Sequence, residues 1–314
     1  MMKNKIKVAM IGLDISHAVE YTKLMQDPAI PANRRVGGMV VEKCLRFETP
    51  FQNQAGLDRR QQTLEQLGVA VGTDFDSVTA DCDAVIMTIN DPSKHLEFFE
   101  KCASLGKPVF INKPFADTLE NALKMIETAE KCNTRFFTAS PLRFDCDLAN
   151  ALNRNISPQT TLVWGPLVNA PAGSSITWYG IHVFEMLQRI MGNGAVCVNA
   201  MPDSKGYVCH VIYGDGRRGI AELSRKGYRY GGVIRDDRQE EVMFQVTDQV
   251  PYYRMLLLKV AGFFLGENQG VPHGDSLEIM AMISAAERSI TTGRPEPVYT
   301  KSYENEVNPC FSIL

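Results

Sequence analysis

The chain has 314 residues, 45% hydrophobic and 22% charged, which suits two domains with a sizeable core and excludes a disordered chain. A net charge of −3 leaves no basic footprint for nucleic acid and no polybasic patch for a membrane surface. Eight cysteines stand singly, with no C-x-x-C and no Cys/His pair at zinc spacing, so no metal is expected. They read as small buried hydrophobes of a reducing cytoplasm. The basic N-terminus is followed by only a strand's length of apolar residues, Val8 to Leu13, so no signal peptide is expected. No stretch approaches the ~18 apolar residues of a membrane span.

In chain order, Ile6 to Ile11 is a β-branched apolar run that predicts a first strand, ending at Gly12. Gly12-Leu13-Asp14-Ile15-Ser16-His17 then leads into a helix. Strand, glycine turn and helix is the geometry that points helix N–H groups at a pyrophosphate. The full dinucleotide fingerprint asks for glycines at 12, 14 and 17, and only Gly12 is present. Asp14 would repel a diphosphate unless it turned back to cap the helix, a role open to Ser16 as well, and His17 could donate to a phosphate oxygen. A second strand is expected over Val36 to Val41. Glu42 at its end could accept from an adenosine ribose, although Lys43 and Arg46 follow closely, so NAD and NADP are not separated.

Asp58 to Leu67 predicts a helix, and Ala84 to Ile89 a buried strand. The strand carries Thr88 and runs into Asn90-Asp91-Pro92-Ser93-Lys94-His95, where Asp91 caps and Pro92 starts the next helix. Val109 to Ile111 is a further strand, bounded by Gly106 and Pro114, with Asn112 and Lys113 at its carboxyl end. Open α/β sheets place ligands at that rim, and an ammonium there could polarise a hydroxyl or carbonyl. Asp117-Thr-Leu-Glu120 is a capping box for the helix that follows, and Arg135 to Ala139 begins one more strand. Strands alternating with helices over about 140 residues imply a doubly wound parallel sheet.

The run Val8 to His17, the stretch Thr88-Ile-Asn-Asp-Pro, Gly106-Lys-Pro with Asn112-Lys-Pro114, and Leu142-Arg-Phe144 together resemble the Gfo/Idh/MocA oxidoreductases. The resemblance implies an N-terminal Rossmann domain for NAD or NADP. It makes Lys113 the lysine of the family's Glu-Lys-Pro, with Asn112 replacing the glutamate. Cofactor contacts are then expected from Gly12, Leu13, Asp14, Ser16, His17, Glu42, Thr88, Asn90, Asp91, His95, Asn112 and Lys113.

From about Leu142 the pattern changes. Thr160 to Leu167 predicts a strand, Pro171 to Ser175 a loop, and Val183 to Met191 a helix with its apolar face on Val183, Phe184, Leu187, Ile190 and Met191. His182, Glu185 and Arg189 fall on the opposite face, which predicts that His182 lies off the core. In the resembled family a Gly-x-His segment opens a helix of the second domain with its His toward the substrate, and Gly180-Ile-His182 matches. The family's Asp four residues earlier is Trp178 here, and Glu185 is the nearest carboxylate in sequence. Short runs from Val196 to Val246 predict an antiparallel meander. Tyr253 to Leu265 reads as a largely buried helix, and Asp275-Ser-Leu-Glu278 caps another. The tail from Pro297, with Phe311, Ile313 and Leu314, is expected to pack on a neighbouring subunit.

The expected architecture is an α/β dinucleotide domain over residues 1–140 and an α+β domain with an open antiparallel sheet over 141–314. A cleft between them would hold nicotinamide and substrate, with Lys113 on one wall and His182 on the other. The expected reaction is hydride transfer between NAD(P) and a sugar or polyol hydroxyl, in a cytoplasmic homo-oligomer. His182 would act as general base and Lys113 would stabilise the alkoxide. Two rivals are a cofactor-binding sensor without turnover and a redox-assisted glycoside hydrolase or lyase.

Overall fold

The computed structural model describes residues 5–227, 229–299 and 310. The chain divides into two compact units. The first holds the residues up to Ala139 together with Tyr253–Pro272, and the second holds Ser140–Tyr252 with the chain from His273 onward.

In the first unit β1 (Ile6–Ile11), α1 (His17–Gln26), β2 (Met39–Leu45), α2 (Gln54–Gln66), β3 (Ala70–Gly72), α3 (Phe75–Thr79), β4 (Ala84–Met87), α4 (His95–Ala103), β5 (Val109–Asn112), α5 (Leu119–Cys132) and β6 (Phe136–Ala139) alternate along the chain. The strands form one sheet in the order β3-β2-β1-β4-β5-β6, with every pair parallel. All residues of β4, β5 and β6 are buried, as expected of a parallel sheet covered on both faces. The strand order reverses between β1 and β4, so a ligand crevice is expected outside their carboxyl ends.

β2 runs from Met39 to Leu45, three residues later than the apolar run suggested. Val8 faces Val41 while Ala9 faces Lys43, which makes Glu42 an extra residue in a bulge. The bulge lets the strand continue through two charged residues before Cys44 and Leu45 are buried again. α2 also begins earlier than the leucine spacing indicated, because the Asn53 side chain accepts from the Gly56 N–H.

The second unit contains α6 (Cys146–Leu152), β7 (Thr160–Pro166), α7 (Ile181–Met191), β8 (Ala195–Pro202), β9 (Gly206–Tyr213), β10 (Arg218–Ser224), β11 (Gly231–Arg235), β12 (Glu241–Gln245), α9 (His273–Thr292) and β13 (Glu296–Pro297). α8 (Tyr252–Phe264) lies between β12 and α9 in sequence, and from Tyr253 it belongs to the first unit. There the Phe263 ring meets Phe137 edge-on at 4.9 Å, and the Arg135 guanidinium lies 5.0 Å from the Phe263 ring. This apolar helix thus finds its core with β6, not with the half of the sequence in which it stands.

The second sheet has the order β12-β11-β7-β10-β9-β8-β13. It is mixed and not purely antiparallel, because β7 and β10 run parallel while the other pairs are antiparallel. Ile176–Gly180, which follows the stretch expected as loop, is a π-helical turn that leads directly into α7. Thr177 and Ser174 both donate to Glu287 Oε1, which fixes that entry. Cys197 and Cys310 are joined by a disulfide across 113 residues, so these two are not the free buried thiols expected from their scatter. The expected tail contacts of Phe311, Ile313 and Leu314 lie outside the described residues. Among the described residues no helix is long and apolar enough to cross a membrane, and no His/Cys/Asp/Glu group could hold a metal.

Candidate cofactor and catalytic sites

Gly12 ends β1 at φ +104°, and a Cβ there would stand 2.8 Å from the Ile89 nitrogen and 2.9 Å from its Cα. The turn is held from three directions. Gly12 N–H donates to Leu45 O at 3.1 Å, Thr88 Oγ1 donates to Gly12 O at 2.7 Å, and Thr88 N–H donates to Ile11 O at 2.8 Å. Gly12→Ala combines left-handed strain with a backbone collision, so it is expected to destabilise the fold by about 2–4 kcal/mol in urea unfolding. An unchanged midpoint would show that the turn relaxes freely.

Asp14 does not cap α1. Its carboxylate is 1% exposed and accepts from Asn90 N–H (2.9 Å), Asp91 N–H (3.2 Å) and Thr49 Oγ (2.8 Å). Burial raises its pKa above the ordinary carboxylate value, while the hydrogen bonds oppose that rise. Asp14 therefore ties the β1 turn to the loop after β4. In the same loop, Asp91 accepts from Ser93 N–H at 3.0 Å, and both ring nitrogens of fully buried His95 face carbonyls, Phe115 O at 3.1 Å and Ile89 O at 2.9 Å. Leu13 is buried and its carbonyl accepts from Arg60 at 3.1 Å.

Ser16 is the exposed N-cap of α1 and makes no side-chain capping bond. The helix entry is thus open toward solvent at the carboxyl end of β1.

His17 has both nitrogens engaged, Nδ1 with Asn112 Oδ1 at 3.1 Å and Nε2 with the Tyr253 hydroxyl at 2.8 Å. Burial first, and then the nearby Lys113 charge, lower its pKa to about 3. It is a neutral bridge between α1, β5 and α8, and not the phosphate donor expected from its place in the turn. Asn112 Oδ1 also accepts from Tyr21 Oη at 3.0 Å, while Asn112 Nδ2 is buried with no partner among the described residues. Lys113 follows at the carboxyl end of β5, 3% exposed, and burial lowers its pKa to about 8.

Glu42 lies inside β2, three residues short of its carboxyl end, and pairs with Lys7 at 3.5 Å. At ~3.3 Å per residue this puts it about 10 Å from the rim where a ribose would bind. Arg46 immediately follows the strand and is held by Asp58 at 2.6 Å and Gln61 at 2.5 Å.

In the second unit α7 is buried all round from Ile181 to Gln188. His182 is 8% and Glu185 3% exposed, so these two members of the stripe expected off the core are internal, while Arg189 is exposed. A hydrogen-bond network satisfies the buried pair. His182 Nδ1 lies 2.7 Å from Ser140 Oγ, and Ser140 N–H donates to Glu185 Oε1 at 2.9 Å. Arg143 reaches Glu185 Oε2 at 3.4 Å, Gln188 Oε1 at 2.7 Å and Asp275 Oδ2 at 2.7 Å. Ser140, not a carboxylate, is the Nδ1 partner. The Tyr179 and Tyr230 rings stand edge-on to the imidazole at 5.4 and 5.7 Å.

The sheet order of the first unit and its glycine turn at the switch point define a dinucleotide-binding domain. Residues 49–140 match the family model described as an oxidoreductase family with an NAD-binding Rossmann fold, and this bears out the Gfo/Idh/MocA resemblance. A search of curated proteins finds no match. Among solved structures, myo-inositol dehydrogenase from Lactobacillus casei, in complex with NAD(H) and myo-inositol, superposes with a TM-score of 0.78 at 13% identity, over 95% of this chain and 98% of that one. GenD2 from gentamicin A biosynthesis, in complex with NAD, gives 0.77 at 14% identity over 96% and 98%. A myo-inositol dehydrogenase from Corynebacterium glutamicum gives 0.74 at 15% identity over 95% and 100%. The fold is therefore shared along nearly the whole chain.

The residues of the first unit fit a nicotinamide dinucleotide. The α1 entry carries no side-chain cap, the Asp14 carboxylate is turned inward, and a buried amide donor at the carboxyl end of β5 has no partner among the described residues.

Proposed function

We propose that the chain is an NAD(P)-dependent oxidoreductase that moves a hydride between the cofactor and a hydroxyl of a sugar or polyol. The observation that carries this reading is Lys113, a buried ammonium at the carboxyl end of β5 in an NAD-binding Rossmann unit. Two structures of the same fold are myo-inositol dehydrogenases, one with myo-inositol bound, which favours a polyol. The α1 entry and the turn at Gly12 would hold the pyrophosphate. When bound, the nicotinamide supplies the hydride acceptor or donor.

The protein's part is to hold the substrate oxygen and move its proton. Lys113 would donate to that oxygen and stabilise negative charge as it develops, an interaction strengthened where water is excluded. His182 would take the proton through Nε2, since Nδ1 is held by Ser140. A hydroxyl can donate or accept, so Ser140 supports either imidazole tautomer, as a reversible transfer requires. It does not supply the fixed negative charge that a carboxylate partner would. His182→Ala is therefore expected to reduce turnover about 10²-fold, at the low end of general acid–base effects.

The test is to supply NAD⁺ and NADP⁺ with a panel of polyols and sugars and follow the absorbance of the reduced nicotinamide. Reduction with at least one of them is expected. A protein that binds cofactor but reduces none would be a sensor, and the oxidoreductase reading would fall.

A further inference from the structure

We propose that Tyr253 and His17 are positioning residues that aim the Asn112 amide, and that its Nδ2–H donates to the carboxamide oxygen of the bound nicotinamide. The proposal rests on the cofactor reading above and names the atom that would recognise one end of the cofactor.

Two buried side chains of α1, Tyr21 and His17, meet Asn112, and the half-buried Tyr253 of α8 meets His17. Tyr21 Oη donates to Asn112 Oδ1 at 3.0 Å, and His17 Nδ1 lies 3.1 Å from the same oxygen. Because Oδ1 is an acceptor only, the imidazole carries its proton on Nδ1. A neutral ring has one N–H, so Nε2 must accept, and its partner at 2.8 Å is the Tyr253 hydroxyl. The direction of the chain is thereby fixed, from the Tyr253 hydroxyl to His17, and from His17 to the amide oxygen. Tyr21 and His17 both meet Oδ1, which leaves Nδ2 on the opposite side of the amide.

That Nδ2 is buried and has no partner among the described residues, although Asn112 is fully enclosed. An unmet buried donor is costly, and a ligand acceptor would recover that cost. Asn112 is the last residue of β5. In a doubly wound sheet of this order, β1 to β3 form the half that takes the adenosine nucleotide, and β4 to β6 the half that takes the nicotinamide nucleotide. The neutral donor suits a neutral carbonyl oxygen better than it would a phosphate, which belongs at the α1 entry. An acidic side chain at this position would offer only acceptors when ionised, so Asn112 makes a contact that the glutamate of the Glu-Lys-Pro pattern does not.

The experiment compares binding of NADH and of ADP-ribose, which lacks the nicotinamide, to the full-length wild type and to Asn112→Asp, Asn112→Ala and Tyr253→Phe. NADH affinity is expected to fall at least about tenfold in both Asn112 variants and about threefold in Tyr253→Phe, with ADP-ribose affinity unchanged. Wild type should also prefer NADH to its thionicotinamide analogue, whose sulfur accepts poorly, and Asn112→Ala should lose that preference. Retained preference in Asn112→Ala, equal NADH affinity in all variants, or parallel loss of NADH and ADP-ribose would overturn the proposal, the second pointing to a buried water on Nδ2. Failure of the wild type to bind NADH would instead overturn the cofactor reading.

Discussion

Replacing Lys113 with Met is expected to do two opposite things: turnover falls by at least about a hundredfold, and the ligand-free protein becomes more stable at neutral pH. The first effect follows from removing the buried ammonium that stands just past the carboxyl end of β5. The second follows from burial, which lowers the lysine pKa from 10.5 to about 8. Below pH 8 the native protein carries a buried ammonium at a cost of about 3 kcal/mol, set by the difference between the two pKa values. Between pH 8 and 10.5 the unfolded chain keeps a proton that the native chain has released, so stability rises with pH across that window. Above it the lysine contributes nothing. Urea unfolding of wild type and Lys113→Met at pH 7 and pH 10.5 should show a clear gain for the variant at the lower pH and almost none at the higher. A variant less stable at pH 7 would mean the ammonium is well compensated in the fold, and the poised-lysine account would be wrong.

The other large effect is expected at Arg143, which sequence alone marked only as part of a family-like stretch. Arg143 is 7% exposed, and its guanidinium holds Glu185 and Asp275 together, and Glu185 in turn holds Ser140, the partner of His182. Arg143→Met leaves the Glu185 carboxylate buried without a cation, which is expected to cost about 3–5 kcal/mol. Burial already raises the Glu185 pKa, with Arg143 opposing, so removing the arginine raises it further. The native variant then takes up a proton more readily than its unfolded chain, and the deficit should shrink as pH falls toward 4.5. Adding Glu185→Gln should recover much of the loss at pH 7. Thermal and chemical unfolding of the two single variants and the double variant would check this, and additive losses would show that the two side chains do not act as a unit.

What could be read in the sequence was local. The apolar run ending at Gly12, and the one ending at Asn112-Lys113, needed no partner to be recognised, and they placed the parallel sheet correctly. Glu42 was misplaced because a bulge let β2 continue through charge, and no periodicity announces a bulge. α7 misled for a different reason. His182 and Glu185 look like a solvent face at helical spacing, yet their partners Ser140 and Arg143 stand some forty residues earlier, and satisfied burial leaves no mark in the pattern. The contacts of His17 required Tyr253, 236 residues away, on a helix that joins the first unit from the far part of the chain. Cys197 and Cys310 likewise gave no spacing signal across 113 residues.

The central claim is that the first unit holds a nicotinamide dinucleotide, and isothermal calorimetry of the full-length protein with NAD⁺ and NADP⁺ tests it most directly. At least one of them should bind with a dissociation constant in the high-micromolar range or tighter, about −5 kcal/mol or better, and the heat should vanish in Gly12→Ala. No heat and no thermal shift from either cofactor at millimolar concentration would contradict the account.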